Sequence, residues 1–388
     1  MDWLRDRWHP GHGKTRLLTL LVALPMAGLA LVIAAAIIGS LLGPIAPAAR
    51  TLYLYWSWSA FLHHNAPAGI YDPMVLKHFE DLNIRADPLP LPFAYPPSML
   101  LLIFPLAAAS PAIGTSIWLG LSLAALIWAS AEPARRVATA GFAAIAPATL
   151  ATLYYGQVTL LVAACLIGGW RLVERRPVVA GVLFGLATVK PQFGLLVPVA
   201  LVSGGYWRCA ASATATVVAS VLASGFLFGW SVWTGLPQAI AALSNYAVHL
   251  PGFDGISPTV AATARVLGAG PMLADILQAL AALGAAVAVW IAFRGGATRR
   301  AVALLMAATY LATPYAVFYD LPMLTYAAAL IVADRRDSGA GLGVGELAIL
   351  ILAVALPLLA RFHPWGLPWG LAGVIAMVLL ALRTPRPA

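Results

Sequence analysis

Long apolar runs recur along most of this 388-residue chain, and charged residues are confined to the stretches between them. Hydrophobic residues make up 62% of the sequence and charged residues only 10%, whereas about a quarter of the residues of a soluble domain are charged. A water-bounded core cannot bury this much apolar surface, so lipid must be the solvent for most of the chain. The sequence therefore predicts an all-α, polytopic integral membrane protein and excludes a soluble globular domain.

The apolar runs predict about 10–13 transmembrane helices, since one crossing needs ~20 residues. The run 178–205 is broken at Lys190-Pro191, and because a residue before proline resists helical geometry, it predicts two helices that meet at the outer face. Pro105 and Pro111 interrupt the run 98–131, which leaves two alternatives open: one broken crossing, or a crossing and a re-entrant helix. The runs lie at 17–42, 98–131, 138–153, 157–173, 178–205, 209–232, 271–293, 301–312, 321–333, 343–360 and 367–382.

The basic residues predict the orientation of these helices, because short cytoplasmic loops retain Lys and Arg. If the run 98–131 crosses once, 17 of the 23 Lys and Arg residues fall on one side of the membrane. Residues 1–16 are then a cytoplasmic N-terminus, the C-terminus is also cytoplasmic, and residues 44–97 form a long outer, periplasmic loop between the first two helices. We treat residues 1–388 as one transmembrane domain. The basic residues do not cluster with aromatics, so the net charge of +9 does not indicate nucleic-acid binding.

Several classes of site lack their sequence signatures. The two cysteines, Cys165 and Cys209, belong to apolar runs and have no metal-ligand spacing, so neither a disulfide framework nor a zinc site is indicated. The HExxH, GxSxG and P-loop patterns are absent, which argues against a zinc hydrolase, a serine hydrolase and an ATP-driven transporter. We therefore expect no metal and no cofactor.

The predicted outer side collects polar residues that border the apolar runs. A charge at membrane depth costs on the order of 3 kcal/mol on insertion scales, so Lys190 is expected to face a phosphate or carboxylate, the alternative being a side chain that snorkels to the interface. Gln157 would bond a substrate hydroxyl or cap a broken helix, and Asp320 would cap a helix N-terminus or contact a ligand. The remaining candidates for substrate binding are Tyr95, Gln192, Arg361 and His363.

Four segments follow one another in a recognisable order: YWSWSAFLHHNAPAGIYDP, PLPFAYPPSMLLLIFPL, YGQVTLLVAACLIGGWRLVERRPVVAGVLFGLATVKPQFGLLVPVALV and PYAVFYDLPML. In order and spacing they resemble glycosyltransferase family 87, within the GT-C superfamily of polytopic membrane glycosyltransferases. The similarity spans about residues 15–335.

This resemblance implies an enzyme that transfers a sugar, mannose or another hexose or pentose, from a polyprenyl-phosphate donor to a lipid or glycan acceptor. Such enzymes are usually inverting, use no nucleotide sugar and work on the periplasmic face of the bacterial inner membrane. Lys190 matches the Lys-Pro position of the family and suits the donor phosphate. Tyr95, Gln157 and Asp320 match further motif positions.

One position departs from the family pattern. Members usually carry an acid shortly before the Trp that aligns with Trp56, and GT-C enzymes use such a first-loop carboxylate as general base. Thr51 stands there, and a hydroxyl cannot take a proton from an alcohol near neutral pH. Either another acid substitutes, with Asp72, then Asp81, then Glu80 as the catalytic candidates, or the chain is a diverged member. The alternative function is then a non-catalytic protein that binds or translocates a polyprenyl-linked lipid.

Overall fold

The computed structural model describes residues 31–40, 42, 50–83, 91–131, 136–249, 252–339, 342–361 and 369–383. Over these residues the chain forms α-helices and short 3₁₀ turns without strands, which confirms the predicted all-α class. The predicted cytoplasmic N-terminus, residues 1–16, lies outside the described residues. The helices are α1 (Leu31–Ser40), α2 (Arg50–His64), α3 (Pro73–Asn83), α4 (Ser98–Ile103), α5 (Pro111–Ser130), α6 (Arg136–Ile145), α7 (Pro147–Tyr154), α8 (Thr159–Leu172), α9 (Pro177–Leu186), α10 (Val197–Ser203), α11 (Trp207–Phe228), α12 (Ser231–His249), α13 (Val260–Val266), α14 (Pro271–Phe293), α15 (Arg299–Ala312), α16 (Pro322–Asp337), α17 (Val344–Arg361) and α18 (Trp369–Leu382).

Three helices in the described part of the chain are long and apolar enough to cross a membrane: α5, α11 and α14, with 20, 22 and 23 residues. At ~1.5 Å per residue they are ~30–35 Å long, which matches a hydrocarbon layer of ~30 Å. Large apolar side chains point outward from them, among them Leu222 and Phe226 on α11 and Leu280 and Ile291 on α14. Apolar surface of this extent away from the core is what contact with lipid requires.

The inner helices are shorter and more enclosed. Every residue of α15 from 301 to 310 is buried, and α8 has only 14 residues. At one end of the bundle, the Tyr206 hydroxyl accepts the Ala297 N–H at 2.8 Å and lies 3.4 Å from the Glu174 carboxylate. These contacts align the loops after α8 and α14 with the start of α11. We call this the basic end; its arginines are Arg171, Arg175, Arg176, Arg299, Arg300, Arg335 and Arg336.

Lys190 lies at the opposite end of the bundle, at the tip of a helical hairpin. As predicted, the run 178–205 divides into two helices, α9 and α10, with 3₁₀ turns on either side of Lys190. A Cβ on Gly181 would lie 2.4 Å from the Cys209 carbonyl oxygen, so α9 approaches α11 closely. At ~1.5 Å per residue α8 is ~21 Å long and α11 ~33 Å, so the two helices differ in length by ~12 Å.

The run 98–131 divides into α4, a 3₁₀ turn at Phe104–Ala108, and the full-length helix α5. The rings of Phe104 and Phe228 are 5.6 Å apart, so the short segment lies against the C-terminus of α11. Of the two alternatives left open by the sequence, this division favours a full crossing preceded by a short helix. The short helix contributes to the Lys190 end of the bundle.

Residues 44–97, expected to be an outer loop, are largely helical where the structure describes them. The helix α2 buries Tyr53, Tyr55, Trp58 and Phe61, and apolar residues surround it on all sides. A helix of this composition has no single apolar face, which is why its pattern did not predict it. The Ser59 hydroxyl donates to the Phe104 carbonyl at 2.7 Å, so α2 packs across the Lys190 end.

Candidate active site

Lys190 and Asp320 form a buried ion pair. Lys190 Nζ lies 2.7 Å from Asp320 Oδ1, and the two side chains are only 5% and 1% exposed. The ammonium also donates to the Thr159 hydroxyl at 2.9 Å, and Thr159 in turn donates to Asp320 Oδ1. The Phe193 ring lies 5.5 Å from Nζ and adds a cation–π contact. Three chain segments that are distant in sequence therefore meet at one charged cluster.

The chain around Asp320 is held by further hydrogen bonds. Asp320 Oδ2 accepts the Val317 N–H at 3.1 Å, so the carboxylate closes the turn before α16 as well as pairing with Lys190. Tyr310 donates from its hydroxyl to the Asp320 carbonyl at 2.6 Å, and Thr152 donates to the Tyr319 carbonyl at the same distance. Asp320 therefore makes a capping bond, which is one of the two roles that the sequence predicts for it, and its contact with a ligand stays a prediction.

Beside the ion pair lies a second cluster, formed by Tyr55, Tyr95 and Gln157. The two hydroxyls are 2.8 Å apart, and Gln157 Oε1 lies 3.3 Å from that of Tyr55. The Tyr55 hydroxyl also accepts the Val158 N–H at 3.2 Å. Tyr95 lies close enough to Lys190 to interact with it electrostatically. The two clusters are adjacent because Gln157 and Thr159 are two residues apart.

A glycine turn brings Gln157 against α2. Gly156 has a φ of +66°, and a Cβ there would lie 2.7 Å from the Leu52 carbonyl oxygen and 3.1 Å from that of Thr51. The Gly156 carbonyl accepts the Trp118 indole N–H at 3.0 Å. Only glycine fits this backbone conformation and this close approach. Thr51, the position at which the resemblance leads us to expect an acid, therefore lies beside the candidate site.

The three predicted catalytic acids occupy different surroundings. Asp72 Oδ1 accepts the Met74 N–H at 2.9 Å at the start of α3, and Asp81 pairs with Lys77 one turn away on the same helix. Glu80 is 1% exposed and accepts the Trp58 indole N–H at 3.1 Å. Of these acids, Glu80 alone is buried.

Aromatic rings connect Glu80 with the tyrosine cluster. The Trp58 ring lies 5.1 Å from that of Tyr55 and 5.8 Å from that of Tyr95, measured between centroids. Tyr71 donates from its hydroxyl to the Tyr95 carbonyl at 2.9 Å, and burial raises the pKa of the Tyr71 phenol, which keeps it a neutral donor. Trp58 therefore contacts both the Glu80 carboxylate and the two tyrosines of the second cluster.

A partly exposed group of aromatic side chains borders Asp320. The centroids of Tyr155 and Tyr319 are 5.2 Å apart, and the Tyr155 ring also packs edge-on against Phe318. Tyr154 lies 5.2 Å from Tyr155. We call Tyr154, Tyr155 and Tyr319 the tyrosine platform. Its half-buried rings leave aromatic surface next to the ion pair.

The remaining predicted binding residues contribute less to this arrangement. Gln192 is half-buried in the 3₁₀ turn that follows Lys190. Arg361 is the last residue of α17, and His363 lies outside the described residues. The described residues hold no group of three or more His, Cys, Asp or Glu side chains arranged for a metal ion.

The sequence did not single out Thr159, Tyr55 or Tyr310. Threonine and tyrosine are ordinary members of apolar helices, so nothing in the local pattern marks them. The position of Thr159, two residues after Gln157 at a predicted helix start, was the available signal.

The model of glycosyltransferase family 87 matches residues 93–314, which is more than half of the chain. The match contains Tyr95, Gln157, Thr159 and Lys190, whereas Asp320 and the three first-loop acids lie outside it. The resemblance drawn from the four sequence segments is thereby confirmed, over a shorter range than 15–335. Comparison with curated proteins and with solved structures gives no match.

Proposed function

Because the chain belongs to glycosyltransferase family 87 and is thus a membrane glycosyltransferase, we propose that its donor is a polyprenyl-phosphate-linked sugar. The transferred sugar is mannose or another hexose or pentose, and the acceptor is a lipid or glycan. The reaction takes place at the Lys190 end of the bundle, on the periplasmic face of the bacterial inner membrane. The observation that carries this proposal is the buried Lys190 ammonium beside Tyr95 and Gln157.

Lys190 binds the donor phosphate in this proposal. An ammonium has three N–H groups, and Asp320 and Thr159 accept two of them. A phosphate oxygen takes the third in a charge-assisted hydrogen bond. When the bond between the sugar and the phosphate breaks, negative charge grows on the phosphate, and a fixed cation stabilises that charge. Asp320 acts as a positioning residue, because it holds the ammonium in place.

The burial of Lys190 favours a lipid-linked donor over a soluble one. Lys190 is 5% exposed and follows the apolar helix α9, so a phosphate that it binds would lie among apolar helices. A polyprenyl phosphate carries its charge at the end of an apolar tail and reaches this site without leaving the lipid. A nucleotide sugar would have to bring its charged groups into the same apolar surroundings, which is costly.

Glu80 is our candidate for the general base, because the hydroxyl of Thr51 cannot take a proton from the acceptor. Of the three predicted acids Glu80 is the buried one, and its carboxylate accepts the Trp58 indole N–H next to the tyrosine cluster. The carboxylate takes the proton of the acceptor hydroxyl, and the acceptor oxygen bonds to the anomeric carbon. The bond from that carbon to the phosphate oxygen breaks, and polyprenyl phosphate leaves. The configuration inverts, as the resemblance implies.

The tyrosine platform suits the sugar ring itself. Aromatic faces pack against the apolar C–H surface of a sugar, while the tyrosine hydroxyls remain available for hydrogen bonds. The platform adjoins Asp320 and so lies close to the proposed phosphate position. This placement puts the anomeric carbon between the platform and Lys190.

The test is transfer by the purified chain in lipid nanodiscs. Polyprenyl-phosphate-[³H]mannose is supplied with lipid and glycan extracts of bacterial membranes, and GDP-mannose is supplied in a parallel reaction. We expect labelled product and free polyprenyl phosphate from the first donor only. Transfer from GDP-mannose alone would overturn the proposed donor.

Neighbouring variants test the proposed base. Glu80→Gln is expected to lower turnover by about 10²-fold or more, because general-base catalysis contributes about that much. Asp81→Asn removes one negative charge from the adjacent position and is expected to leave turnover within about threefold. Full activity of Glu80→Gln would remove Glu80 from the mechanism.

The second candidate function is the non-catalytic binding or translocation of a polyprenyl-linked lipid. The observation in its favour is the threonine at position 51, beside the Gly156 turn. It predicts that the nanodisc protein binds polyprenyl-phosphate mannose without cleaving it, and that Glu80→Gln changes neither binding nor turnover.

A further inference from the structure

We propose that a cavity at the basic end of the bundle binds the phosphate head group of an anionic phospholipid. The cavity has a volume of about 610 Å³ and lies between α8, α15 and α16. Pockets that hold small molecules have volumes of ~300–1,000 Å³. It lies at the end of the bundle opposite Lys190, so it is separate from the candidate active site and does not depend on the function proposed for that site.

The charges around the cavity favour an anion. Arg171, Arg175 and Arg299 line it, against one acid, Glu174. Arg171 donates to the Trp128 and Ala129 carbonyl oxygens at the C-terminus of α5, and these bonds hold its guanidinium in place. Arg299 pairs with Asp337. Arg175 is exposed and makes no ion pair with any residue that the structure describes.

The Trp170 indole ring forms part of the cavity wall and is only 4% exposed. It packs against the rings of Phe184 and Phe293, at centroid distances of 4.9 and 4.8 Å, so packing holds this part of the wall in place. Three arginines and an aromatic ring thus border the same volume.

The rest of the lining is apolar, and this favours a lipid over a free anion. Leu172, Val302 and Leu330 form the walls that the three helices contribute. A ligand that is complementary to both the arginines and the apolar walls has an anionic head and an apolar body. Basic pockets between transmembrane helices bind anionic head groups on the cytoplasmic side, which is where the distribution of Lys and Arg predicts this end to lie.

Two adjacent arginines provide the test. Arg175 lines the cavity, whereas Arg176 is exposed and does not line it, so Arg175→Gln and Arg176→Gln remove the same charge one residue apart. Retention of phosphatidylglycerol and phosphatidylcholine by the detergent-purified chain is measured by native mass spectrometry. We expect the wild type to retain phosphatidylglycerol preferentially, Arg175→Gln to retain about fivefold less, and Arg176→Gln to match the wild type.

Two results would overturn the proposal. Equal losses in both variants, or no loss in either, would mean that phosphatidylglycerol is attracted by surface charge or binds elsewhere. Inorganic phosphate is titrated in a separate arm. If it binds in the cavity in an Arg175-dependent manner and phosphatidylglycerol does not displace it, the ligand is a soluble phosphate and not a lipid. Displacement by phosphatidylglycerol but not by phosphatidylcholine would support the lipid head group.

Discussion

Burial of the ion pair between Lys190 and Asp320 costs free energy, because both charges lose their contact with water. Removing two charges from water costs several kcal/mol per ion, and their attraction repays this only with good geometry and additional hydrogen bonds. Thr159 and the Val317 N–H supply two such bonds. A well-packed apolar pair would provide similar stability, so we infer that the charges are kept for the chemistry of the donor.

Substitutions in this ion pair separate its contribution to stability from its contribution to sugar transfer. Lys190→Met leaves the Asp320 carboxylate buried without its cation and is expected to destabilise the protein by about 3–5 kcal/mol. In the double variant Lys190→Met with Asp320→Asn, neither member of the pair carries a charge, and we expect most of the lost thermal stability to return. Sugar transfer is expected to stay absent in both. Melting temperature and turnover are measured on the same preparations.

The double variant is the decisive one. If it regains both stability and transfer, the pair is a structural element and Lys190 does not bind the donor phosphate. If it regains stability alone, misfolding is excluded as the reason for the lost activity.

Single residues also mark the limit of prediction from sequence. The sequence singles out Lys190, Gln157 and Asp320 because a polar residue at the edge of an apolar run is conspicuous. The partner of Lys190 was not foreseen, since 130 residues separate it from Asp320 and no local pattern connects them. The burial of Glu80 was missed for the same reason, because its contacts come from α2.

Among the structural elements, the Gly156 turn joins the two halves of the site. Gly156→Ala is expected to lose transfer activity and about 1–2 kcal/mol of stability from the positive φ alone. The contact with the Leu52 carbonyl adds to this loss and displaces Gln157. Thermal unfolding and turnover of the variant are compared with the wild type.

Gly205 provides the matched control for this turn. It has a φ of +70°, but a Cβ there would meet no atom within 4 Å. Gly205→Ala is therefore expected to lose only the stability that a side chain at positive φ costs, and to keep transfer activity. If both variants behave alike, the close approach of the Gly156 turn to α2 has no part in the function.

The elements were predictable where proline marks a break. Lys190-Pro191 indicated the α9–α10 hairpin, and Pro105 indicated the division before α5. The helix α2 was not predicted, because the residues 52–62 are apolar on every side and have no helical period. The helix α2 is buried because the segment 98–108 packs against it, and a local sequence pattern does not show this contact.

At the scale of the whole molecule, the helices fall into two length classes. The long helices α11 and α14 match the thickness of a membrane, whereas α8 and α15, with 14 residues each, span ~21 Å. Thr159 begins α8 and Tyr310 lies near the end of α15, so the candidate site is built at the ends of the short helices.

The distribution of Lys and Arg makes a prediction about the orientation of the Lys190 end. With 17 of the 23 basic residues on one side, the basic end should face the cytoplasm and α2 should face the periplasm. His64, at the end of α2, and Arg176, at the basic end, are both exposed. Each is replaced by cysteine in a separate variant, and spheroplasts are treated with a maleimide that does not cross membranes.

We expect His64→Cys to be labelled in intact spheroplasts and Arg176→Cys only after the membrane is permeabilised. The wild type serves as the background, because its own thiols belong to the half-buried Cys165 and the buried Cys209. The opposite labelling pattern would place the Lys190 end in the cytoplasm. Sugar transfer would then have to occur on the cytoplasmic side. The anionic-lipid cavity would face the periplasm, and the cytoplasmic location of basic pockets for anionic head groups would no longer support it.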